Sequence, residues 1–173
     1  STMKLPMGKQ VDVFELDGKT LAPIERKVMG LATVELNYGP DSITGEMAAG
    51  PRKMPIEAKL KAPVLGDGAG LELAIAGLPL EEGYSTTLRT FEPLTQKVRV
   101  MRLSVTGKET TEIATEKFET WILELQPLDG DEGGSGSLRV KRETPHHLVR
   151  SEYKLPAMTG GGTVSSELVP AKE

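Results

Sequence analysis

The chain is predicted to be all-β, a single curved, mostly antiparallel sheet forming an open or half barrel. Three observations predict this class. Apolar and polar residues alternate through several short runs, most cleanly at Ile56, Ala58, Leu60 and Ala62 against Glu57, Lys59 and Lys61. Turn-forming Gly, Pro, Asn and Asp clusters interrupt the chain at intervals of about eight to twelve residues, as in sandwiches and barrels. No long window repeats its apolar residues at the helical period of 3.6, so no helix is expected.

Residues 4 to 30 carry the weakest signal. Val11, Val13 and Phe14-Glu15-Leu16 predict a short strand ending at Asp17-Gly18, a turn-forming pair. Ala22-Pro23-Ile24-Glu25-Arg26-Lys27 begins a charged segment, an edge strand or one helical turn. Residues 1–30 are therefore expected to form an N-terminal arm or first strand, residues 31–169 a single β-rich domain, and residues 170–173 a tail.

From Leu31 the strands become legible. Ala32, Val34, Leu36 and Tyr38 alternate with Thr33, Glu35 and Asn37 up to the turn at Gly39-Pro40-Asp41. Ile43 to Met47 is a returning strand in which Gly45 marks a bulge or a close crossing. After the Ile56–Ala62 strand, Pro63 and the loop Gly66-Asp67-Gly68-Ala69-Gly70 lead to Leu71–Ala76, whose continuous apolar run predicts a central strand. Tyr84 to Phe91 follows.

The most regular stretch is 97–155. It reads as strands Lys97–Val105, Glu109–Thr115, Phe118–Gln126, Gly136–Glu143 and His147–Leu155, with a turn at Thr106-Gly107 between the first two. Trp121, Leu123 and Leu125 share one face, and Arg150, Glu152 and Lys154 share another. One apolar and one wet face is what an antiparallel meander over a core requires. A closing strand is expected at Thr163–Val169.

Bulk composition narrows the function. At 173 residues, 38% apolar and 27% charged, the chain is long enough to bury a core without disulfides or metal. A net charge of -4 removes the long-range pull toward nucleic acid or an anionic membrane. The absence of cysteine removes thiol catalysis and thiolate metal sites. No apolar run is long enough for a transmembrane helix, and no signal peptide is recognisable.

Three stretches carry a family resemblance: Val105-Thr106-Gly107-Lys108-Glu109-Thr110 followed by Thr115-Glu116-Lys117-Phe118-Glu119-Thr120; the late hairpin Ser137–Arg150; and the closing strand Gly162–Leu168. Together they resemble domain of unknown function 3108, a bacterial family of typically exported or cell-envelope proteins, over residues 84–169. The sequence departs from the family pattern at Glu116, where a glycine usually precedes the phenylalanine, and in lacking a tryptophan on the late strand. The resemblance implies a periplasmic or cell-envelope setting. It also implies a curved antiparallel sheet similar to that of envelope lipoprotein carriers, whose concave face holds an apolar ligand, and no established reaction.

The residues themselves offer little catalytic equipment. His146 and His147 are adjacent, so on a strand they face opposite ways and do not share one metal; they read as a solvated pair at a turn. Gly134-Ser135-Gly136-Ser137 lacks the order of a nucleophile elbow, and Ser151 stands about 13 Å along an extended chain from His147. Asp129-Gly130-Asp131-Glu132-Gly133 does not match a calcium-loop spacing. The loop 66–70 is no phosphate cradle, having neither Lys-Ser/Thr nor an opening helix after it. No catalytic residue, metal site or cofactor is assigned.

Two surfaces remain. Leu88, Met101, Trp121, Leu123, Leu125 and Tyr153 are expected to line a concave face for a lipid or other apolar small molecule. Arg139, Lys141, Arg150 and Lys154 are expected to form a basic stripe, read first as a solvated face and second as a contact for an acidic partner. The favoured function is a non-catalytic binding domain for an apolar ligand or a protein partner, a homodimer included. Its alternatives are a structural or oligomerisation domain, and a hydrolase using carboxylates and His147.

Overall fold

The computed structural model describes residues 2–5, 8–30, 32–128, 134–155 and 161–169. These form β1 (Thr2–Leu5), β2 (Gly8–Leu16), β3 (Pro23–Met29), β4 (Ala32–Tyr38), β5 (Ser42–Ala49), β6 (Arg52–Lys59), α1 (Ala69–Ala76), β7 (Ser85–Glu92), β8 (Lys97–Ile113), β9 (Glu116–Pro127), β10 (Gly136–Lys141), β11 (Leu148–Lys154) and β12 (Thr163–Glu167). The all-β, antiparallel expectation holds, and neither sheet closes on itself. The strands are shared between two six-stranded meanders, ordered β1-β2-β3-β4-β5-β6 and β12-β11-β10-β9-β8-β7. The chain packs as two compact units, Ser1–Ala74 with Arg89–Arg99, and Ile75–Leu88 with Val100–Glu173.

In the first unit, residues 8–30 hold β2 and β3, which continue the sheet from β4. Cross-strand register lines up Phe14, Arg26, Leu36, Gly45 and Ile56 in one row over β2 to β6. Leu36, Ile43, Met47 and Ile56 on that inner face bury together with Val64 and Phe91. Of the two readings of Gly45, a bulge or a close crossing, the structure shows the close crossing: a Cβ there would lie 1.9 Å from the Glu35 carbonyl oxygen of β4, and the pairing on both sides runs without a register shift. The alternate face carries Glu15, Lys27, Glu35, Glu46 and Glu57, all exposed.

The expected strand at Leu71–Ala76 is instead the helix α1. Ala, Leu and Glu are strong helix formers, and a short apolar run has no periodicity that separates a buried strand from a buried helix. The helix starts inside the glycine-rich loop, with the Glu72 amide donating to the Gly68 carbonyl at 3.1 Å.

The expected turn at Thr106-Gly107 is a bulge inside one seventeen-residue strand, β8. Val105 pairs with Leu123 and Gly107 with Ile122, so Thr106 is the extra residue. The extra residue changes which side of β8 is buried. Before it, Met101, Leu103 and Val105 are buried; after it Thr111 and Ile113 are buried, on the side opposite to the one that simple alternation would have continued. The hairpin turns later, at Ala114, whose φ of 54° is left-handed. Ile75, Leu80, Leu88, Leu123, Leu125, Leu138, Val140 and Val149 add to the buried apolar set of the second unit.

Candidate functional site

At the ends of β9, β10 and β11 the second sheet leaves a concavity of about 310 Å³, lined by Glu124, Leu125, Gln126, Ser135, Gly136, Ser137, Glu152, Tyr153, Lys154 and Thr163. Register builds it. Ser137 lies opposite Glu124 on one side and Glu152 on the other, so a hydroxyl stands between two carboxylates in one cross-strand row. The Lys154 amide donates to the Ser135 carbonyl at 2.8 Å, which sets Lys154 beside the start of β10. Tyr153 lies opposite Gly136, where an added Cβ would come within 2.6 Å of the ring. Glycine is therefore what lets the ring lie against the strand.

Of the six residues expected to line an apolar face, Leu88, Met101, Leu123 and Leu125 are at most 5% exposed, and of these four Leu125 borders the concavity. Trp121 and Tyr153 are half-buried. Trp121 carries the Arg142 guanidinium 4.8 Å over its ring, and Tyr153 borders the concavity.

The basic stripe is largely neutralised. Arg139 and Arg150 are cross-strand neighbours. Arg139 pairs with Glu109, Lys141 with Glu143 at 3.1 Å, and Arg150 with Glu167 at 2.8 Å. Lys154 alone of the four has no carboxylate within ion-pairing distance among the described residues.

The histidines are half-buried rather than solvated. His146 Nδ1 is 2.8 Å from the Lys141 carbonyl oxygen, and His147 stands edge-on to Phe118 with ring centres 6.2 Å apart. His147 does not line the concavity, and Ser151 Oγ meets Ser166 Oγ at 2.7 Å. The described residues hold no group of three or more His, Asp or Glu able to bind a metal. The acidic run 129–133 and the tail 170–173 lie outside the described residues.

The first unit holds a polar cluster that the sequence did not disclose. Arg26 is buried, with Nε 3.2 Å from Asp12 Oδ1, Nη2 2.9 Å from Asp12 Oδ2 and Nη1 3.5 Å from Asp67 Oδ2. Its guanidinium lies 4.9 Å over the Phe14 ring. Burial opposes the charge on Arg26, but its hydrogen bonds to Asp12 and the nearby Asp67 carboxylate outweigh that and hold its pKa above the ordinary value. Tyr38 Oη is buried without a hydrogen-bond partner among the described residues, and burial pushes the phenol up to about 12.

This cluster also explains the glycine loop. A helix does open after it, but the loop faces side chains rather than a phosphate: a Cβ at Gly66 would lie 2.9 Å from the Phe14 ring, and one at Gly68 3.3 Å from Asp12 Oδ2. On β2, Asp12 and Phe14 point inward and Val13 is exposed. One signal was present. Across a hairpin turning at Asp17-Gly18, Asp12 and Phe14 share parity with Arg26 and Val28.

A family described as "Protein of unknown function (DUF3108)" matches residues 2–161, nearly the whole chain. The chain belongs to that family. The DUF3108 match covers the first unit's strands and two of the three stretches that carried the resemblance, and it ends before the third, Gly162–Leu168. No curated protein and no solved structure matches the chain. No helix of the described residues is long and apolar enough to cross a membrane.

Proposed function

We propose that this DUF3108 chain is a non-catalytic binding domain of the bacterial cell envelope, acting through the concavity at the ends of β9, β10 and β11. One observation carries the reading: Leu88, Met101, Leu123 and Leu125 are buried, while a concavity of about 310 Å³ that mixes the polar side chains Glu124, Glu152 and Lys154 with Leu125 and Tyr153 stays open. A concave site with a few convergent polar groups is the usual form of a small-ligand site. The envelope setting is the one the resemblance implies.

The hydrolase alternative finds less support. Its base would be His147, which is held against Phe118 and lies outside the lining of the concavity.

The test is an amide-correlation NMR screen of the ¹⁵N-labelled chain against a library of small polar compounds, beside ester, glycoside and peptide hydrolysis assays. Shifts clustering on β9 to β11 without turnover are the expected result. Hydrolysis that is lost in Glu124→Gln or His147→Gln would overturn the non-catalytic reading.

A further inference from the structure

The charges around the concavity do not balance one another. Glu124 and Glu152 flank Ser137 in one row, and Lys154 stands two residues beyond Glu152 on the same face of β11. Cross-strand spacing puts the two glutamate backbones about 10 Å apart, and the along-strand repeat puts Lys154 about 7 Å from Glu152. The neighbouring cations that would neutralise the glutamates are engaged elsewhere: Arg139 with Glu109, Lys141 with Glu143, and Arg150 with Glu167. Among the described residues, Glu124, Glu152 and Lys154 have no ion-pair partner. The concavity therefore presents two unpaired negative groups and one unpaired positive group around a rim of hydroxyls.

We infer that this site takes a small dibasic zwitterion, a basic amino acid or a short peptide ending in one, with its two ammonium groups at Glu124 and Glu152 and its carboxylate at Lys154. The inference rests on the proposal that the concavity is the binding surface, and adds the ligand's charge pattern. A ligand with two cationic groups and one anionic group complements all three side chains at once. A plain zwitterion leaves one glutamate unmatched, and a simple diamine leaves Lys154 unmatched. Ser137 Oγ accepts a hydrogen bond from Arg139 Nη1 and keeps its own proton to donate to the ligand carboxylate, and the side-chain amide of Gln126 adds a second uncharged group on the lining. Partial enclosure makes such pairs worth more than the same pairs on a flat surface.

The test is titration of the labelled full chain with three probes: L-lysine, L-norleucine, which lacks the side-chain ammonium, and 1,5-diaminopentane, which lacks the carboxylate. L-Lysine is expected to shift the amides of β9, β10 and β11 and to bind about three- to tenfold tighter than either other probe. Glu124→Gln and Glu152→Gln are each expected to remove the advantage over L-norleucine and to weaken 1,5-diaminopentane as well. Lys154→Gln should weaken L-lysine while leaving 1,5-diaminopentane unchanged. The three side chains are exposed or half-buried, and unchanged melting curves would confirm that the variants fold.

Equal affinity for L-lysine and L-norleucine, or equal weakening of L-lysine and the diamine by Lys154→Gln, would overturn the charge assignment. So would shifts at these strands from uncharged library compounds but not from L-lysine, a result that leaves the concavity standing as a binding surface. Silence from the three probes and the whole library would overturn both readings.

Discussion

Arg26 and Asp12 form a two-pronged ion pair on the inner face of the first sheet, Nε to Oδ1 at 3.2 Å and Nη2 to Oδ2 at 2.9 Å. The pair joins adjacent strands, β2 and β3, and Asp67 brings the glycine-rich loop onto the same guanidinium. Both partners are shielded, with side chains only 10% and 15% exposed. Removing one partner strands a charge where water cannot reach it. Asp12→Ala is expected to cost about 3 kcal/mol, whereas Arg26→Met with Asp12→Leu should cost clearly less than Asp12→Ala alone, because no buried charge is left. Urea denaturation of the three proteins measures both.

Tyr38 should make stability fall at alkaline pH. Its phenol is buried, which holds its folded pKa at about 12 against an ordinary value of 10.0. Between those values the unfolded chain has released the proton and the folded chain still binds it. The stabilising contribution is thus complete below pH 10 and lost as the pH rises toward 12. Tyr38→Phe is expected to flatten that part of the stability profile. Since the hydroxyl has no partner among the described residues, the variant should not lower stability at pH 7 by more than about 1 kcal/mol. Denaturation curves across the alkaline range, with absorbance of the ionised phenol, give the readout.

Gly45 tolerates no side chain. A Cβ would press onto the backbone of β4, not onto a side chain able to swing aside, so the two strands must separate. Gly45→Ala is expected to destabilise the protein by about 3 kcal/mol or more. Gly18→Ala, where an added Cβ meets nothing within 4 Å, serves as the control in the same thermal melts.

Thr111 and Thr120 share a buried hydrogen bond of 2.8 Å between their hydroxyls, and Thr120 Oγ1 lies 3.1 Å from the Glu109 carbonyl oxygen. Thr120→Val leaves the Thr111 hydroxyl short of its partner and should cost about 1 to 2 kcal/mol. The double variant with Thr111→Val should cost less than the sum of the singles, since no hydroxyl is then left over. A double-mutant cycle by chemical denaturation measures the coupling.

The strands were the legible part of the chain. Alternation at Ala32–Tyr38, Ile56–Lys61 and Trp121–Leu125 identifies them because one wet face and one dry face force a period of two. The glycine at position 45 marked either a bulge or a close crossing, and only the pairing with β4 decided for the second. Leu71–Ala76 was illegible because an apolar run burying most of its sides carries no period, and Thr106-Gly107 because a bulge and a turn use the same residue types. In the candidate site, Glu124, Glu152 and Lys154 looked like ordinary wet-face residues. What sets them apart is that Glu109, Glu143 and Glu167 take up the neighbouring cations, and that depends on partners brought together by pairing.

The sequence by itself determined that this is an antiparallel strand protein with no cysteine chemistry and no nucleophile elbow, since composition and period two are properties of the chain alone. Tertiary structure decided the division into two sheets, the inward turn of Arg26 toward Asp12, and which charges stand unpaired beside Tyr153. Those outcomes depend on register, and register compares residues far apart in sequence: shifting one strand by a single residue would carry every one of its side chains to the other face.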